Sequence, residues 1–169
     1  MVIQWLFVLK SGGDSQKIPS HREVNRLPAT NLMGTFYQSM DVKGRMSFPT
    51  KLREIIGDRF IVTRGIDGCL FVYSLEDFAD LSERINALPI SKARKLQRYF
   101  MAGAAEVEAD KQGRILIPQH LREAAALIKE IVVAGVSGRA EIWSKEAWDK
   151  VNAEFDEESA LEAMEELEF

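Results

Sequence analysis

The chain writes one nine-residue phrase twice. Residues 41–49 read DVKGRMSFP and residues 110–118 read DKQGRILIP, with Asp, Gly, Arg and Pro in the same places. The likeness runs on. DVKGRMSFPTKLRE (41–54) aligns with DKQGRILIPQHLRE (110–123). With a shift of one residue, IVTRGIDGCLFVYSLEDF (61–78) aligns with IVVAGVSGRAEIWSKEAW (131–148). A duplication constrains a fold more than any single motif, because both copies must form the same elements. The predicted unit is strand, turn, strand, short helix, strand, turn, strand, helix. Two such units, roughly 34–104 and 105–155, fill the patterned chain.

The local chemistry of each position supports that order. FYQSMD and EVEAD alternate as strands do. Asp41 and Asp110 open turns that Gly44 and Gly113 close, since Asp accepts backbone N–H groups and Gly supplies positive φ. RMSF and RILI are the return strands. Pro49 and Pro118 hold the preceding residue extended and suit the first turn of a helix. PTKLREII stops at Gly57, a C-cap position. Leu52 and Leu121 are expected in the core, with Arg53 and Arg122 more exposed. FIVTRGIDGCLFVY and EIVVAGVSGRAEIW predict hairpins, with tight turns at Gly65 to Gly68 and Gly135 to Gly138. A helix over 74–88 has Ser74 as N-cap and acids in its first turn, and its twin starts near Ser144. A further helix over 91–103 carries an apolar stripe of Ala93, Leu96 and Phe100 and a basic one of Lys92, Lys95 and Arg98.

The ends of the chain read differently. Residues 1–32 lack periodicity and are rich in Gly, Pro and Ser after a short apolar start. They predict a disordered arm, or residues upstream of a true start at Met33. MVIQWLFVLK is too short to span a bilayer and lacks the positive n-region and clear small-residue cleavage site of a signal peptide, and no membrane partner is expected. Residues 156–169 form an acidic tail.

Charge narrows the function. The formal net charge is −4, but residues 151–169 hold eight acidic residues and no basic one. The rest carries 22 basic and 18 acidic residues, or +4, a mild pointer to a polyanionic partner. Cys69 stands alone in an apolar run, so no internal disulfide forms and a buried thiol is expected. His21 and His120 are the only histidines. That argues against a zinc site or a His-based triad, and no Gly-rich phosphate loop appears. No catalytic residue, metal or cofactor is expected, and an enzyme is the weakest reading. Arg45 and Arg114 stand out, because a turn needs no Arg after its Gly. Two roles are open on composition alone: an ion-pair partner for the neighbouring Asp, or contact with a partner molecule.

The doubled Asp-x-x-Gly-Arg-x-x-x-Pro unit, its spacing and the opening MGTFYQSMDVKGR resemble the MraZ family over residues 33 to about 150. The resemblance implies an α+β fold of two tandem SpoVT-AbrB-type swapped-hairpin modules, 33–104 and 105–155. Their core would be a small double-ψ-like β-barrel with flanking helices. It implies a DNA-binding transcriptional regulator acting on short guanine-rich direct repeats upstream of the division and cell-wall gene cluster. It further implies a homo-oligomeric ring of eight or more subunits, cytoplasmic and nucleoid-associated. On that reading Arg45 and Arg114 read double-stranded DNA, Lys43 and Lys111 hold phosphates, and Asp41, Gly44, Asp110 and Gly113 shape the turns. The second copy has Lys111 and Gln112 where the first has Val42 and Lys43. The chemistry agrees, since a guanidinium can donate two hydrogen bonds to guanine and a two-stranded ribbon fits the major groove. The rival reading is an AbrB-type antitoxin or protein-binding module. Its tail would be EFDEESALEAMEELEF, with Leu161, Met164 and Leu167 at helical spacing; two modules rather than one weigh against it.

Overall fold

The computed structural model describes residues 31–154 and, beyond them, residues 160, 161 and 164. The expected arm, apart from Asn31 and Leu32, and most of the acidic tail lie outside the described residues. In chain order the elements are β1 (Leu32–Ser39), β2 (Arg45–Ser47), α1 (Thr50–Ile56), β3 (Arg59–Arg64), β4 (Leu70–Ser74), α2 (Leu75–Asn86) and α3 (Ile90–Leu96). A π-helical turn (Gln97–Met101) follows, then β5 (Ala105–Glu108), β6 (Arg114–Leu116), α4 (Gln119–Ala124), β7 (Glu130–Ser137), β8 (Ala140–Ser144) and α5 (Lys145–Ala153). The fold is α+β, with antiparallel sheets and short helices.

The two copies exchange strands. The larger sheet has six strands in the order β1-β7-β8-β4-β3-β5, and β2 pairs with β6 in a separate ribbon. So β1 of the first copy lies on the hairpin of the second, and β5 of the second on the hairpin of the first. The sequence suggested that RMSF would return along the strand before it. Instead the one ladder pair between those two segments is the isolated Met40–Met46 bridge just past β1, and β2 runs along β6. The reason is burial. Met46 and Ile115 face each other across the ribbon and both point into the core. Each is the repeat equivalent of the other, so a local twofold axis passes between them. A second such pair, Phe71 opposite Glu141, marks the axis in the larger sheet.

One core results. Leu52 of α1 and Leu121 of α4 sit in the same cluster as Phe60, Val72, Ile131 and Ile142. Neither copy is large enough to bury such a face alone, and pooling the two faces solves the problem. The other face of the larger sheet carries Cys69, Phe71, Val132 and Trp143, packed beneath Phe100, Tyr73 and Trp148. Cys69 is buried as expected. Burial pushes its thiol up to about 12, and its Sγ donates to Ile66 O at 3.1 Å.

The local signals for helix starts hold. Ser74 Oγ accepts from Asp77 N at 3.0 Å, and Ser144 Oγ accepts from Ala147 N at 3.2 Å. Three expectations change. Gly135 is not a turn residue; β7 runs through it to Ser137, and the turn closes where Val136 N donates to Arg139 O at 3.0 Å. Gly135 serves close approach instead, because a Cβ there would stand 2.5 Å from Met33 N of β1. The helix expected over 91–103 is shorter and in two parts. α3 ends at Leu96, and the chain then widens into the π turn that brings Phe100 over Phe71, ring centroids 6.3 Å apart. Finally, β7 follows β3 by 71 positions rather than 70, because Val107 pairs with Phe60 and its equivalent Gln38 pairs with Ile131. The first hairpin loop is one residue longer than the second.

Candidate nucleic-acid interface

The two Asp-x-x-Gly-Arg turns are built alike. Asp41 Oδ1 accepts from the backbone N–H groups of Lys43 and Arg45, each at 2.9 Å. Asp110 Oδ1 accepts from Gln112 N at 2.8 Å and Arg114 N at 2.9 Å. The chain closes behind them: Gly44 N donates to Asp41 O at 2.9 Å and Gly113 N to Asp110 O at 2.8 Å. Gly44 and Gly113 have φ of +84° and +74°, the left-handed conformation this closure needs. Asp at the first position is therefore the organiser of the turn. The N–H groups it collects hold both carboxyls below their ordinary value of 3.8, against the opposing effect of burial.

The same carboxylates also take one edge of each arginine. Arg45 Nε donates to Asp41 Oδ2 at 2.8 Å, and Arg114 Nε to Asp110 Oδ2 at 2.9 Å. The arginines are thus ion-paired, which was one of the two roles left open by composition. The pairing does not consume them. A guanidinium has five N–H donors, and one carboxylate occupies one edge. The two side chains remain 43 % and 42 % exposed, the same in both copies.

The ribbon brings them together. In β2 and β6 the central residue points inward and its neighbours outward. Arg45 pairs with Leu116 and Ser47 with Arg114, so both arginines stand on the exposed face as diagonal neighbours. Such neighbours lie roughly 7–8 Å apart. Lys43 and Lys111 are exposed on the turns that flank the ribbon, and Val42 at the first turn tip is 98 % exposed. The α3 and π-turn segment carrying Lys92, Lys95 and Arg98 packs through Phe100 on the sheet face opposite the ribbon. Its exposed cations do not belong to this surface.

Two further arginines enter the site from the opposite copy, and the reading of the sequence did not connect them to it. Arg122 of α4 packs against Gly44: a Cβ there would lie 2.6 Å from its Nε. Arg53 of α1 packs against Gly113, where a Cβ would lie 2.9 Å from its Nη1. Both are half-buried. The signal that could have found them is the Leu-Arg-Glu at 52–54 and 121–123, which extends the likeness past the proline. Among the described residues no group of three or more His, Cys, Asp or Glu could hold a metal ion, and no helix is long and apolar enough to cross a membrane.

Fold and site together define a class: a duplicated, strand-exchanged α+β protein that displays two carboxylate-ordered arginine turns on one ribbon. The sequence matches the family described as "MraZ protein, putative antitoxin-like" in two copies, over residues 32–98 and 100–168. The chain belongs to the MraZ family. It is 50 % identical over 127 residues to the transcriptional regulator MraZ of Caldanaerobacter subterraneus subsp. tengcongensis, covering 74 % of this chain and 89 % of that one. The regulator MraZ of Heliobacterium modesticaldum is 52 % identical over 122 residues, 71 % of this chain and 85 % of its own. That of Thermoanaerobacter pseudethanolicus is 48 % identical over 140 residues, 80 % and 98 % of the two chains.

Proposed function

We propose that the protein is a transcriptional regulator that reads double-stranded DNA with the β2–β6 ribbon and its two turns. The observation that carries this reading is the shared exposed face of Arg45 and Arg114, each held along one edge by its own Asp. An arginine fixed in this way loses little freedom on contact and keeps donors for guanine O6 and N7. Lys43 and Lys111 contact flanking phosphates, which position the ribbon without reading sequence. Asp41, Gly44, Asp110 and Gly113 set the turns. The names of the relatives support regulation of transcription.

The finer reading follows the family resemblance. The two strand-exchanged halves are AbrB-type swapped-hairpin modules, 33–104 and 105–155. The protein forms a homo-oligomeric ring of eight or more subunits in the cytoplasm, associated with the nucleoid. Its targets are short guanine-rich direct repeats upstream of the division and cell-wall gene cluster. Displaying several ribbons around a ring makes every contact after the first intramolecular, which raises avidity by about 10²–10⁴. A second reading, a protein-binding antitoxin-type module, draws on the family description and on Leu161 and Met164, which stand exposed on the acidic segment.

Selection of random duplex DNA by the full chain at fixed salt tests the proposal. The expected result is enrichment of spaced, guanine-rich repeats, with affinity that climbs steeply from one repeat to three. Retention without sequence preference would overturn it, and light scattering that shows a monomer at micromolar concentration would remove the ring.

A further inference from the structure

Each turn on the ribbon is completed by the other copy. Gly44 O accepts from Ile117 N at 3.0 Å, and Gly113 O accepts from Phe48 N at 2.9 Å. Above those bonds lie Arg122 on Gly44 and Arg53 on Gly113, each in contact with the glycine. The two contacts are not equivalent. Arg53 Nη1 also reaches Asp58 Oδ1 at 3.5 Å. Asp58 adjoins Arg59, and the matching residue beside Glu130 is Lys129, so the position that serves Arg53 offers Arg122 no acid. The Nε of Arg122 is buried without a hydrogen-bond partner among the described residues.

A buried, unsatisfied N–H is costly, and an apolar side chain of the same length would fill the space behind Gly44 without that cost, but without the flat, rigid guanidinium whose Nε and Cζ lie against the turn. The buried Nε is therefore a cost to stability rather than a reason for Arg at 122. We propose that Arg122 is a positioning residue for DNA recognition: it fixes the first turn, and through it Arg45, from the opposite copy. Arg53 does the same for the second turn and Arg114, with Asp58 as an additional brace. Recognition by one turn is then coupled to the packing of the other copy. This inference rests on the DNA-reading role of the ribbon.

The test uses the full chain, with Arg122→Met alone and combined with Arg45→Ala or Arg114→Ala. Methionine keeps the stem against Gly44 and removes the unsatisfied donor. The thermal midpoint should stay level or rise. Affinity for a two-repeat duplex should nevertheless fall about tenfold, the scale of one misplaced arginine–guanine contact. The loss should vanish on the Arg45→Ala background and persist on the Arg114→Ala background. Amide exchange at Lys43, Gly44 and Arg45 should quicken in the free protein while Gln112, Gly113 and Arg114 stay unchanged; Arg122→Lys, which keeps the charge, should show the same local change. Unchanged affinity, or a loss that adds fully to that of Arg45→Ala, would overturn the proposal. So would a drop of about one unit in the salt slope, which would make Arg122 itself a phosphate contact. If Arg45→Ala binds as wild type does, the DNA-reading role has failed and takes this inference with it.

Discussion

Asp41 and Asp110 receive matching hydrogen bonds to within 0.1 Å, and the arginines they hold are equally exposed. Around that shared geometry the two copies diverge. The first turn carries Lys43 where the second has Gln112, and the second carries Lys111 where the first has Val42. The arginine behind the first turn has a buried Nε with no hydrogen-bond partner among the described residues, and the one behind the second has Asp58. α1 ends at Gly57, whereas the matching position after α4 is Ala126. The duplicated geometry is the part that a turn and an arginine require. The divergence lies in charge and support, where each copy is free to take a different share of the work.

The sharpest break of that comparison removes one arginine at a time. Arg45→Ala and Arg114→Ala each delete one contact from every subunit, about 1–3 kcal/mol of discrimination per contact. On a duplex with three repeats the losses multiply across the occupied subunits, and affinity should fall by about 10²–10⁴. Titration by fluorescence anisotropy on one, two and three repeats measures this, with circular dichroism to show that the variants fold. Equal losses would show that both copies read DNA. A folded Arg114→Ala protein that binds as wild type would make the second copy a scaffold for the first.

The next effect is smaller and electrostatic. Lys43→Ala should weaken all sequences alike and lower the slope of log K against log salt by about 0.9 for each phosphate that the lysine neutralises. Gln112→Lys should steepen it by a similar amount. If Lys43→Ala instead changed which sequence is preferred at constant slope, Lys43 would be touching bases.

What could be read from the sequence was mostly local. The Asp-x-x-Gly turns, the serine caps at 74 and 144 and the buried Leu52 and Leu121 follow from short-range hydrogen bonding and periodicity. The strand partners did not. Alternation says that FYQSMD is a strand but not that it lies on β7, because pairing between distant strands is decided by the pooled core. Gly135 shows the same limit: a Gly-x-x-Gly spacing cannot distinguish a turn glycine from one that admits the backbone of β1. The paired arginine turns were visible as a repeat, yet their meeting on one ribbon and the contact of Arg122 with Gly44 depend on the exchange.

A stability comparison at the helix ends comes third. Gly57 has φ +91° and ψ 175°, a region nearly closed to residues with a Cβ, so Gly57→Ala should cost about 1–3 kcal/mol. Ala126 has φ +49°, where a Cβ costs roughly 1–2 kcal/mol. Ala126→Gly relieves that, less about 0.4–1 kcal/mol of added freedom in the unfolded chain. A net gain of about 0.5–1 kcal/mol should raise the thermal midpoint by a few degrees. A lower midpoint for Ala126→Gly would show that the methyl group is needed where it stands.

The smallest expected effect is a plateau, and it concerns what the copies share. The hydrogen bond from the backbone N–H of Arg45 is the largest influence lowering Asp41, and Arg114 plays the same part for Asp110. A carboxyl whose value is depressed by folding contributes stability that is fully present above its unfolded value, here near 3.8, and is lost as pH falls through the folded one. Between pH 8 and 5 both carboxyls are ionised whether the chain is folded or not, so neither turn gives stability a slope there. Below about pH 4 the two should begin to lose their contribution together, since their partners and directions match. Urea midpoints measured from pH 8 to 3 on wild type, Asp41→Asn and Asp110→Asn test this. Each substitution should flatten the acid limb by a similar share and leave the range from pH 8 to 5 unchanged. A larger share for one Asp would mean that the arginine behind each turn, Arg122 on the first and Arg53 with Asp58 on the second, acts on the carboxylate itself. The two copies would then differ even at the Asp that organises both turns.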